Sequence, residues 1–217
     1  MFDQMGHFEP ITYIAHAVVG LLSLFAALVA MSVVKGGSHH RKFGWFFVAA
    51  IAVTSATAYF FFYQRPTGPF EVLGATLALY FVSSAILSFK RYDKVRKASH
   101  IFFAVILILV VIGLAALLKQ NFQIPVRVFV LVTHIVLVVS LLVADLRFAF
   151  AEQVSQQKRV SRHFYRMFLT FGLALASAIG NIMNIPVPMC VAVSFIVMTC
   201  VHYLVVKSRF KSDMAVA

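Results

Sequence analysis

Acid is what this chain has least of. Seven Asp and Glu stand against nineteen Lys and Arg in 217 residues, a formal net charge of +12. Charge of either sign is scarce as well, at 12% of residues, where soluble domains carry about 25%. That leaves no room for a soluble domain. Cysteine is nearly missing: Cys190 and Cys200 share one apolar run. Ten helical residues separate them by about 15 Å, too far to bridge, so they say nothing of redox compartment. The chain holds no nucleotide-binding glycine loop, no GxSxG, no CxxC, no HExxH and no HxxxH pair, which removes the common hydrolase, redox and zinc signatures. The last apolar run has no interior lysine, only Lys207 at its end, which argues against a retinal Schiff base.

What is present is apolar. Hydrophobic residues make up 62% of the chain and the mean hydropathy is +0.93. They come in long runs, the mark of a polytopic membrane protein. A bilayer span needs about 20 such residues, and the runs predict seven, over 11–34, 45–63, 69–89, 100–118, 124–149, 163–182 and 187–206. The fold class expected is an all-α integral membrane bundle forming one transmembrane domain over 1–217. The first run does not read as a cleavable signal, because Asp3 and Glu9 precede it in place of a basic region. Outer turns hold proline and glycine, at 65–69, 123–125 and 184–188.

Basic residues alternate sharply between connections. Lys35, Arg41 and Lys42; Lys90, Arg91, Lys94, Arg96 and Lys97; Arg147, Lys158, Arg159, Arg162 and Arg166; and Lys207, Arg209 and Lys211 are sixteen of the nineteen. Arg65, Lys119 and Arg127 fall on the other side. By the positive-inside rule the N-terminus is outside and the C-terminus cytoplasmic. Topology therefore accounts for the positive charge, and no nucleic-acid partner is expected. The basic face predicts the bilayer's anionic phospholipids as partners, each side chain near the surface contributing roughly 1 kcal/mol. Lys35, His40, Arg41 and Arg166 are the expected lipid or anion contacts.

Polar groups inside the runs mark the candidate interior. Over 124–150, Arg127, His134 and Asp145 are seven and eleven residues apart, so at 100° per residue they share one stripe. Ionisable groups within a membrane face the protein interior or a wet cavity. With His163 and Asn181 they form an expected proton path or polar interior, lined by the first, fifth and sixth spans. Small and weakly polar residues recur at His16, Gly20, Ser23 and Ala27, and at His163, Met167, Thr170, Ala174, Ser177 and Asn181, a spacing that lets helices pack closely in lipid. His16 and His134 each lie roughly 8–10 Å below the outer surface. Two level imidazoles can ligate a b-type haem, with quinol or a redox protein as partner. They can equally relay protons or hydrogen-bond to neighbours; Thr57, Tyr59, Ser177 and Asn181 are partners in reach of His134. His39, His40 and His100 adjoin basic loops and are expected to be wet. Asp145, His163 and His202 end on one side, where a metal site would need them to converge.

The first-span histidine, the K-G-x-x-x-H-R-x-x-G loop (Lys35, Gly36, His40, Arg41, Gly44), the segment LYFVSSAILSFKRYDK and the R-H-x-x-R-M helix start (Arg162, His163, Arg166, Met167) together resemble an uncharacterised family of bacterial multi-pass membrane proteins. The resemblance covers most of spans one to three and six. It implies a bacterial inner-membrane location and brings no established activity.

Overall fold

The computed structural model describes residues 9–64, 69–89, 93–121, 125–151 and 154–215. They form seven helices: α1 (Glu9–Ser32), α2 (Ser38–Gln64), α3 (Pro69–Leu87), α4 (Asp93–Asn121), α5 (Pro125–Phe150), α6 (Gln156–Met183) and α7 (Val187–Ala215). No strand occurs among the described residues. The chain is an all-α polytopic bundle, and six of its helices are long and apolar enough to cross a membrane.

The seventh, α3, has 19 residues, about 28 Å at 1.5 Å per residue and close to the ~30 Å hydrocarbon core; the apolar part of it whose side chains are described is Val72–Leu87. α3 packs against α2, α4 and α6, and Leu77, Tyr80, Phe81 and Ala85 on it are buried. Protein rather than lipid covers much of its surface. Around it the chain packs as neighbouring pairs, α1 on α2, α4 on α5 and α6 on α7, with further contacts of α1 on α6 and α5 on α7.

Three helices start about two turns before the apolar run that marks them: α2 at Ser38, α4 at Asp93 and α6 at Gln156. All three extensions are on the basic side. Lys and Arg are good helix formers, so the helix continues where hydropathy stops.

Local chemistry sets the boundaries. α1 ends before Gly36, which takes φ +77°, a conformation open to glycine without steric cost. The exposed carbonyls at that end are capped: Lys35 Nζ donates to Ala30 and Met31, and His40 Nδ1 donates to the Ala30 carbonyl at 2.9 Å. Ser155 caps α6, its hydroxyl accepting from the Lys158 amide. Asn184 closes α6 in the left-handed region, and the Ile185 amide reaches back to Gly180 at 2.9 Å.

The small residues of α1 do face its neighbour, with Gly20 against Thr54 of α2 and Ser23 and Ala27 buried. On α6 the buried face differs from the expected one. It runs through Arg166, Leu169, Thr170, Leu173, Ala176 and Gly180, while Met167, Ala174 and Ser177 lie along its half-buried edge and Asn181 is exposed. α6 meets α1, α3 and α7, so more than one stripe is covered. It packs tightly on α7 at Gly172, where Ser194 Oγ donates to the glycine carbonyl at 2.9 Å.

Candidate functional site

The polar interior is built at the basic end of α3, α4, α5 and α6, and α1 takes no part in it. Asp145 lies about 8 Å inside the end of α5 and is 0% exposed. One oxygen, Oδ1, accepts from Arg166 Nη2 at 2.8 Å and also from Arg162 Nη2. The other, Oδ2, accepts from Tyr80 Oη at 2.6 Å. His100 of α4 stands with Nδ1 3.9 Å from Oδ2, beyond hydrogen-bond reach. Charge-assisted bonds of this kind are roughly twice as strong as neutral ones, and the apolar surroundings leave little water to compete.

Two elements supply the frame. Tyr80 and Ser84 on α3 and Ser88 just past its end follow at four-residue steps and so share a face. Arg162 Nη2 donates to Ser84 Oγ at 3.1 Å, and Arg159 Nη1 donates to the Ser88 carbonyl at 3.2 Å. On α6, Arg159, Arg162 and Arg166 follow at steps of three and four, which also keeps them on one face, and they meet that side of α3. Rings close the sides: the Arg162 guanidinium lies 4.4 Å from the Phe148 ring centre, Arg166 5.2 Å from that of Tyr80, and His100 sits edge-on to Phe148 at 5.1 Å.

Hydrogen bonding is incomplete here. Both ring nitrogens of His100, Nε of Arg162, and Nε and Nη1 of Arg166 are buried without a partner, as is His202 Nδ1. Buried polar atoms are normally satisfied. A pocket of about 430 Å³ adjoins the cluster, lined by Ser155, Lys158, Arg162, Tyr165, Arg166 and His202 among others.

The expected site residues are placed as follows. Asp145 is at the centre. Arg166, expected to contact lipid or an anion, is 1% exposed and bound to Asp145; its place four residues above Arg162 turns it inward. His163 lies beside the cluster, Nδ1 donating to the Ala85 carbonyl at 3.2 Å with its ring near Phe89. Asn181 is at the far end of α6, bonded to the Ser177 carbonyl and exposed, so it does not join this interior. The Arg127 side chain lies outside the described residues. Lys35 and His40 cap α1, and Arg41 is exposed. His100, expected to be wet, is 0% exposed, because α4 begins two turns earlier and carries it into the bundle.

His16 and His134 are engaged separately. His16 Nδ1 shares a 2.6 Å hydrogen bond with Thr57 Oγ1 of α2, beside Phe61. His134 is buried, Nδ1 donating to its own helix at Val130 (2.7 Å), with its ring edge-on to Phe195 of α7. Of the partners expected for His134, Thr57 is taken by His16, Tyr59 by Thr76 and Asn181 by Ser177. Asp145, His163 and His202 do not converge either: His202 is against Tyr165 and Phe164, and no group of three His, Cys, Asp or Glu suited to a metal occurs among the described residues.

Sequence reasoning missed Tyr80, Ser84, Arg162 and His100 as parts of one site. The usable signal was two polar stripes at helical spacing, Tyr80, Ser84 and Ser88 at four and four, and Arg159, Arg162 and Arg166 at three and four. No family model, no curated protein and no solved structure matches this chain.

Proposed function

We propose that this membrane protein is a proton-linked transport or sensing protein whose switch is the Asp145 cluster. The observation that carries the reading is a single carboxylate, out of water, gripped at once by two guanidiniums and a phenol from α3 and α6. Ionisable groups kept inside membrane spans mark proton or ion paths. A proton on Asp145 removes the charge that both arginines bind and loosens the hold of α5 on the start of α6. A ligand or proton that favours one of two such arrangements shifts their populations. The membrane is read as a bacterial inner (plasma) membrane, with the N-terminus outside and the cluster near the cytoplasmic face. Anionic phospholipid surrounds the basic rim. The haem reading of His16 and His134 gains no support, since each ring is held by different neighbours.

Liposomes with an internal pH dye test the reading. The wild-type chain should dissipate an imposed pH gradient faster than protein-free liposomes, and Asp145→Asn should not. Hydrogen exchange should show residues 156–166 loosened in Asp145→Asn while α1 and α2 keep their protection. Wild-type proton flux together with wild-type exchange in Asp145→Asn would overturn the proposal and leave the cluster a structural pin.

A further inference from the structure

We propose that the pocket between the start of α6 and α7 binds a phosphate-class anion, either a soluble phosphate ester or the phosphate of a lipid headgroup. This deepens the proposed function by naming a ligand class for the same region, and rests on that reading for its purpose but not for its geometry.

Three observations converge. The first is charge. Lys158, Arg162 and Arg166 line the pocket, and the carboxylate that answers them, Asp145, is bound on Oδ1 by the two arginines. Among the described residues two buried guanidiniums share one buried carboxylate, with Lys158 adding an exposed positive charge at the rim, and a buried charge needs a partner. The second is unused donors. Arg166 is 1% exposed, yet its Nε and Nη1 have no acceptor, and neither does Arg162 Nε. Asp145 uses only Nη2 of each arginine, so Nε and Nη1 of Arg166 and Nε of Arg162 remain as separate single donors, each able to give a charge-assisted bond to an oxyanion. The third is the rim. His202 of α7 brings an imidazole whose Nδ1 is unpartnered, beside Ser155 and Tyr165, whose hydroxyls are engaged by the Lys158 amide and Thr199 Oγ1.

The ligand class follows from the donors. They approach from α6 and α7 and outnumber what a planar carboxylate accepts. A tetrahedral oxyanion offers an acceptor toward each. A volume of about 430 Å³ leaves space beyond the phosphate for the group esterified to it.

The experiment uses the full chain, delipidated in uncharged detergent. Thermal unfolding is followed against inorganic phosphate, glycerol phosphate, and chloride at matched ionic strength. Nanodiscs of phosphatidylcholine doped with phosphatidic acid form the second arm, read by native mass spectrometry. The expected result is saturable stabilisation by phosphate or its ester, or selective retention of phosphatidic acid, and chloride without effect. Lys158→Ala, an exposed rim position away from the Asp145 contacts, should weaken the apparent Kd about tenfold, as loss of one charge-assisted contact does. Arg166→Lys keeps the charge and removes the unpartnered Nε and Nη1 donors, and should weaken it as well. Effect in the soluble arm alone assigns a free ester; effect in the lipid arm alone assigns a headgroup. No saturable effect in either arm, or the same affinity in Lys158→Ala, overturns the proposal. Phosphate binding without proton flux keeps this pocket and sinks the transport reading. Flux without phosphate binding does the reverse.

Discussion

Asp145→Asn is the sharpest perturbation the structure offers. The amide keeps the shape of the carboxylate and removes its charge. It leaves Arg162 and Arg166, whose side chains are 9% and 1% exposed, without a counter-ion. Breaking a buried ion pair from one side costs about 3–5 kcal/mol. In a bilayer the unfolded helices also find polar partners, so the lower end, about 3 kcal/mol, is expected. For a chain of this size each kcal/mol moves Tm by roughly 2–4 °C, giving a fall of about 6–12 °C. Taking away one stranded cation should then help. Arg166→Met in the Asp145→Asn background is expected to be more stable than the sum of the two single changes, with a coupling of about 0.5–3 kcal/mol. Unfolding in mixed lipid micelles, followed by circular dichroism, measures all four proteins. Strict additivity, or a loss below about 1 kcal/mol for Asp145→Asn, would show that the carboxylate is solvated and that the cluster is no buried network.

Reporters fused after Gly44, Arg96, Gln156 and Ala217 should read cytoplasmic and those after Thr67 and Phe122 external; one reversed sign breaks the alternation at that loop. His16→Ala and His134→Ala should each cost about 1–3 kcal/mol by stranding a bonded partner, and the double change should be additive within about 0.5 kcal/mol, because different helices hold the two rings; strong coupling in a thermal melt would point to a shared ligand. Gly172→Ala puts a methyl 2.7 Å from both Ser194 Oγ and Met198 Cγ, and an overpacked contact should cost about 1–3 kcal/mol. Gly74→Ala, with nothing within 4 Å of the new methyl, should instead be neutral or stabilise by up to ~1 kcal/mol; equal Tm values for the two alanine variants would contradict the packing of α6 on α7.

The bundle was legible because apolar runs are long and basic loops punctuate them. The helix ends were not, since hydropathy falls at the first lysine whereas the backbone helix continues. That one effect misjudged His100, which reads as a wet residue at the first position of its span until α4 is seen to begin at Asp93. Asp145 was legible on its own, as an acid amid apolar residues. Its partners were hidden by number: sixteen basic residues carry the topology signal, and nothing in their spacing relative to the loops singles out Arg162 and Arg166 as inward. Tyr80 and Ser84 were hidden by their type, because hydroxyl residues pass unnoticed in an apolar run. His16 and His134 drew attention for their depth, yet each is satisfied by a nearby helix carbonyl or hydroxyl.

The ion pairs also bear on how the chain enters its membrane. α6 is the least apolar of the six candidate spans, with a mean hydropathy of 1.4, and its first turns carry three arginines. An arginine at the centre of an inserting helix costs about 2.5–3.5 kcal/mol even when it can snorkel. The groups that neutralise this cost, Tyr80, Ser84, Ser88 and Asp145, all precede α6 in the chain. Helices α3 to α5 are therefore synthesised first and offer a prepared polar seam when α6 emerges. Biogenesis then has a direction, in which the C-terminal hairpin docks last onto a half-built bundle. A ribosome stalled after α5 would expose Asp145 with no cation to meet it, a ready signal for membrane quality control.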